Sequence, residues 1–136
     1  MRKARLRPQN DNLFMKRILF VEDDPDQIFM YNAKFELEGL LLMVADNERD
    51  ALKFARIENP DLILLDLLLR HENGLDILEK IKQDETISKI PVLVFTNYDT
   101  KEYRERAAKL GAREYIIKAQ TTPSEIVKKI KEIVGA

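Results

Sequence analysis

Four short segments of this 136-residue chain carry the groups able to do chemistry, and each closes or follows an aliphatic run. Glu22-Asp23-Asp24 follows Ile18–Val21, Asp66 follows Leu62–Leu65, Thr96-Asn97 closes the run from Val92, and Lys118 follows Glu114–Ile117. Asp66 is the least expected, because three more leucines come after it. An ionised side chain inside a doubly buried strand is costly, so this carboxylate belongs where a strand emerges into a cleft. Two or three carboxylates gathered there repel each other unless a cation intervenes. Hard oxygen ligands with waters suit Mg²⁺ (or Mn²⁺). A divalent ion, a lysine and a hydroxyl are the parts that stabilise a phosphoryl group in transfer. Cysteine is absent, the only histidine is His71, and no serine ends a strand. A carboxylate can attack phosphorus to give an aspartyl phosphate, and Asp66 is the central candidate.

Convergence of these groups depends on the elements between them. The aliphatic runs predict strands over Ile18–Val21, Leu41–Ala45, Leu62–Asp66, Val92–Thr96 and Glu114–Ile117. Asp24-Pro25-Asp26-Gln27 reads as an N-cap, a proline at the first helical position and a capping-box glutamine. Thr122-Pro123-Ser124-Glu125 repeats that pattern, and Asp99 with Glu102 is a weaker third case. Gly39 and Gly111 stand where helices end. Five β–α units with short connections predict a doubly wound α/β fold with a parallel sheet and helices on both faces. All carboxyl ends of such a sheet lie on one edge, which is where ligands bind. The leucines around Asp66 read as core.

Composition bounds the rest. The chain is 45% hydrophobic and 35% charged with a formal charge of −1, which fits one globular domain and gives no support for a nucleic-acid surface. Without cysteine, disulfides, thiolate catalysis and cysteine-ligated zinc are excluded. No apolar stretch is long enough to span a bilayer and no signal peptide is evident, so a cytoplasmic location is the expectation. Residues 1–14 carry +3 and read as a disordered basic tail before a domain spanning 15–136; Met15 as the working start is the alternative.

Residues 16–134 resemble the receiver domain of two-component response regulators. The resemblance rests on five stretches in order: Ile18–Pro25, Pro60–Asp66, Asn73-Gly74-Leu75, Ile90–Thr96 and Gly111–Lys118. It implies a CheY-like, flavodoxin-like (βα)5 fold of strand order 2-1-3-4-5. It further implies that Asp66 accepts a phosphoryl group from a phosphohistidine on a sensor histidine kinase or a histidine phosphotransfer protein. Asp23 and Asp66 would ligate Mg²⁺ directly, with Glu22 acting through water and the Leu68 carbonyl as a backbone ligand. Lys118 would pair with Asp66 and then with phosphoryl oxygens, and Thr96 would hydrogen-bond the phosphoryl group. Tyr115 would turn inward and report the change to the face formed by the fourth helix, fifth strand and fifth helix. Leu68 and Tyr98 hold positions that flank the phosphoryl group, and both are largely apolar, which predicts a shielded acyl phosphate.

Three features depart from the family pattern. Ala119 stands where proline usually follows the lysine, Asn97 replaces a small residue, and Leu69–Glu72 lacks a proline and is more charged. A cis bond before a non-proline residue is strongly disfavoured, so a trans bond is expected at Ala119. The chain ends soon after the fifth helix, which reads as a stand-alone switch binding a downstream protein, without direct DNA binding, as a monomer or weak phosphorylation-dependent dimer. It would be a self-phosphorylating and self-dephosphorylating switch, not a turnover enzyme. A degenerate receiver acting as a constitutive interaction module is the alternative, and a Mg²⁺-dependent phosphohydrolase the third reading. The run Leu67-Leu68-Leu69 supplies no second acid for that last chemistry.

Overall fold

Alternation within each aliphatic run decides which face of the sheet a residue meets. The computed structural model describes residues 15–136, so the expected basic tail over 1–14 lies outside the described residues. Strands β1 (Lys16–Val21), β2 (Leu40–Ala45), β3 (Leu62–Leu65), β4 (Val92–Thr96) and β5 (Glu114–Ile117) pair in parallel in the order β2-β1-β3-β4-β5. This is the flavodoxin-like arrangement. Helices α1 (Pro25–Leu37), α2 (Glu48–Glu58), α3 (Gly74–Gln83), α4 (Lys101–Leu110) and α5 (Pro123–Val134) fill the crossovers. Strand β3 stops one residue short of Asp66, whose N–H still donates to the Val21 carbonyl at 3.1 Å.

Leu19, Val21, Ile63, Leu65, Val92 and Val94 point to the face covered by α2, α3 and α4. Their neighbours Ile18, Phe20, Leu62, Leu64, Leu93 and Phe95 meet α1 and α5 through Tyr31, Phe35, Ile126 and Ile130. Phe20, Phe35 and Phe95 are fully buried, each contributing about 2–3 kcal/mol of transfer free energy. With both faces packed, the strand ends have little freedom, and chemistry falls to the loops. Among the described residues, no helix is long and apolar enough to cross a membrane.

The caps follow the sequence at α1 and α5. Asp24 accepts from the Asp26 N–H at 3.0 Å ahead of Pro25, and Thr122 with Glu125 closes both arms of a capping box. Two expectations are corrected. The N-cap of α4 is Thr100, not Asp99; its hydroxyl accepts from the Tyr103 N–H at 3.1 Å. Asp99 instead takes the Arg104 guanidinium at 2.5 Å, a charge-assisted partner stronger than a helix amide. Gln27 closes no capping box, because the Asp24 N–H that it would take donates to Glu22 Oε2 at 3.2 Å, and its Oε1 is buried without a hydrogen-bond partner.

Gly74 opens α3 directly beneath the loop that carries Asp66. A Cβ there would lie 2.5 Å from both the Asp66 carbonyl oxygen and the Leu67 Cα, so only glycine lets α3 approach this closely. Gly74→Ala should therefore lower stability by about 2 kcal/mol in urea unfolding at an unchanged m value. A cost below about 0.5 kcal/mol would show that the approach is not constrained.

Candidate functional site

Strands β1 and β3 adjoin where the strand order reverses, and their carboxyl ends open into a cleft of about 830 Å³. Its walls include Glu22, Asp23, Asp66, Leu68, Asn97 and Lys118, which come from four different strand ends or the loops after them. Thr96 is fully buried at the end of β4, next to β3, and does not line the cleft. Residues separated by almost a hundred positions thus meet for the reason the parallel topology anticipates.

Lys118 organises the centre. Its ammonium donates to Asp66 Oδ2 at 2.8 Å and to Glu22 Oε1 at 2.5 Å, and all three residues are less than a tenth exposed. Burial works against the ammonium, yet the charges and hydrogen bonds of Asp66 and Glu22 more than offset it and hold Lys118 above the usual lysine value. For Glu22, burial is the largest influence; Lys118 counteracts it and Asp66 adds to it, leaving Glu22 above the usual carboxylate range. One ammonium facing two carboxylates leaves a surplus negative charge, to which Asp23 adds at the cleft wall. A cation is the physical answer to that surplus.

Backbone amides aim the carboxylates. Asp66 Oδ1 accepts from the Leu68 N–H at 3.0 Å, and Asp23 Oδ2 from the Arg70 N–H at 2.6 Å. Glu22 Oε2 takes the N–H groups of Asp23 and Asp24, both at 3.2 Å. Among the described residues, no three acidic, imidazole or thiol groups stand close enough to form a ready-made metal cage. Mg²⁺ does not need one, since it binds through one or two carboxylates and keeps several waters. The buried Gln27 Oε1 at the cleft edge is an orphaned acceptor of the kind such water satisfies, so the donor set fits a hydrated divalent ion.

The leucine run needs one correction. Leu67 and Leu69 are core, but Leu68 is 51% exposed, because successive residues of this extended loop face opposite ways. The aromatic at the cleft wall is Tyr103 of α4; Tyr98 is not among the lining residues and packs edge-on against Tyr103, with ring centroids 4.5 Å apart. The sequence pattern missed Tyr103, which sits within the charged stretch Lys101–Arg106 and reads as an ordinary helix residue. Tyr115 lies outside the cleft, half-buried, with its hydroxyl donating to the Tyr98 carbonyl at 2.5 Å and the Arg104 guanidinium 5.0 Å from its ring. His71 is exposed in the loop after β3.

Two departures from the family pattern meet in one contact. The peptide at Ala119 is trans and Lys118–Gln120 forms a single 3₁₀ turn. Because residue 119 is not proline it has an N–H, which donates to Asn97 Oδ1 at 2.7 Å. Asn97 thereby ties the loop after β4 to the loop that aims Lys118. Asn97→Ala and Ala119→Pro each remove this bond, so each should cost about 1 kcal/mol in chemical unfolding, and the double variant no more than the costlier single. Strict additivity would mean that the two residues act independently.

The sequence and the fold match known proteins. The family model described as the response regulator receiver domain aligns with residues 18–131. PilH of Pseudomonas aeruginosa is 33% identical over 104 residues, an alignment covering 76% of this chain and 86% of that protein. A CheY-like receiver domain protein of Methanospirillum hungatei superposes with a TM-score of 0.81 at 28% identity, covering 89% of this chain and 94% of that one. The Mn²⁺-bound form of response regulator Rcp1 superposes with a TM-score of 0.74 at 26% identity, covering 86% and 92%. Receiver domains are signalling switches of two-component systems, and this chain belongs to the response regulator receiver domain family.

Proposed function

We propose that the protein is a single-domain response regulator whose Asp66 accepts a phosphoryl group from a phosphohistidine on a kinase or phosphotransfer partner. The observation that carries this reading is the Lys118 ammonium held on Asp66 at 2.8 Å in a buried setting, beside a surplus of carboxylate. A carboxylate oxygen of Asp66 forms the new O–P bond while the N–P bond to the histidine breaks. The released electron pair stays on the imidazole nitrogen, which takes up a proton. Lys118 then has phosphoryl oxygens as partners in place of the carboxylate. Asp23 and Asp66, with the Leu68 carbonyl and Glu22 through water, would hold Mg²⁺ or Mn²⁺. Bound there, the ion neutralises charge on the transferring oxygens. That response regulator Rcp1 was solved in an Mn²⁺-bound form supports a divalent ion for this protein too.

Switching follows from Thr96. Its hydroxyl oxygen accepts the Tyr98 N–H at 3.3 Å, which leaves its proton free for a phosphoryl oxygen. A pull on Thr96 draws on the Tyr98 backbone, whose carbonyl holds the Tyr115 hydroxyl. The doubly charged phosphoryl group thus biases Tyr115 and the α4–β5–α5 face between two arrangements, one of which binds a downstream protein target. Leu68 at the cleft wall flanks the group and slows its hydrolysis. The protein works in the cytoplasm as a monomer or weak phosphorylation-dependent dimer, without contacting DNA.

Incubation with Mg²⁺ and acetyl phosphate should add one phosphate by intact mass in the native protein and none in Asp66→Asn. An adduct that persists in Asp66→Asn would overturn the assignment. No adduct in either protein would favour a constitutive interaction module, and steady turnover of external phosphate esters a hydrolase.

A further inference from the structure

Tyr103 joins the α4 side of the cleft to the loop after Asp66. It sits in the first turn of α4, fixed by its own N–H to the Thr100 cap. Its hydroxyl oxygen accepts from Asn73 Nδ2 at 3.0 Å, across the cleft. Asn73 belongs to the loop that follows Asp66 and caps α3 through the Leu75 N–H at 2.8 Å. On its other side the Tyr103 ring packs edge-on against Tyr98 at 4.5 Å. Tyr98 in turn offers its N–H to Thr96 and its carbonyl to Tyr115. The contacts therefore run without a break from the loop after Asp66 to β5.

We infer that Tyr103 is a positioning residue, a tie that fastens the loop after Asp66 to α4 and holds the Thr96–Tyr98–Tyr115 contacts in their resting arrangement. The inference deepens the phosphoacceptor reading and rests on it for its consequence, not for its geometry. Any inward movement of Thr96 drags Tyr98, and Tyr98 is held through Tyr103 to Asn73 and α3. Releasing the tie removes resistance to that movement. The switch then reaches its second arrangement more readily, by the weight of one neutral hydrogen bond.

Two variants test this from opposite ends. Tyr103→Phe keeps the ring and its packing but leaves Asn73 without its acceptor. Asn73→Ser keeps a capping oxygen for α3 but removes the donor. The first readout is amide hydrogen exchange of the unphosphorylated protein. Both variants should raise exchange in residues 67–73 and in 97–103 together while α5 is unchanged. The second is the midpoint for beryllium fluoride, a phosphoryl mimic, at saturating Mg²⁺, which should fall about three- to tenfold in both variants. Exchange confined to the substituted segment, or a midpoint unchanged or raised, would overturn the tie. If the native protein binds no beryllium fluoride, the phosphoacceptor reading has failed, and the exchange pattern alone then decides whether the tie exists.

Discussion

A single buried ammonium shared by two carboxylates is the constraint on which this site depends. Lys118 touches both Glu22 and Asp66, and all three are largely buried at the floor of the cleft. Removing the ammonium would leave two carboxylates side by side in a poorly solvated setting, the arrangement that makes one-sided loss of a buried ion pair so costly. In the proposed switch the same geometry is responsive: Lys118 is positioned by two carboxylates that a cation and a phosphoryl group would engage instead.

The sheet holds this balance in place. Because β1 and β3 adjoin at the reversal of strand order, the acidic pair after β1 and Asp66 after β3 meet in one cleft. Packing on both faces immobilises the strands, so Asp66 is presented by a rigid support and not by a mobile loop. The loops beyond the strand ends are fastened by single hydrogen bonds: Asp23 to Arg70, Asn73 to Tyr103, Asn97 to Ala119 and Tyr115 to Tyr98. The last three connect the cleft to the α4–β5 surface. Stability resides in the layers, and adjustability in the connections.

Much of this was legible before any coordinates. Period and punctuation give five strands and five helices, and Glu22, Asp23, Asp66, Asn97 and Lys118 meet in one cleft because parallel topology brings their strand ends to one edge, with Thr96 buried behind it. What escaped was decided by side-chain geometry. Asp99 and Thr100 are both able caps, and only the nearby Arg104 determines which of them takes the helix amide. Leu68 looks like its neighbours in sequence, but the extended loop turns it outward. Tyr103 carries no signal in a charged helical stretch until α4 is docked beside Asn73. The non-proline Ala119 and the bulky Asn97 look like two unrelated departures, and the fold makes them one hydrogen bond.

The central claim is that Lys118 guards Asp66 at rest and passes to the phosphoryl group once it forms. A crystal structure of the protein with beryllium fluoride and Mg²⁺ measures this directly. The account predicts beryllium bonded to an Asp66 carboxylate oxygen, with the Lys118 ammonium within hydrogen-bonding distance of a fluorine. Beryllium fluoride bound away from Asp66, or bound there with Lys118 still held on Glu22 and the Asp66 carboxylate alone, would contradict it.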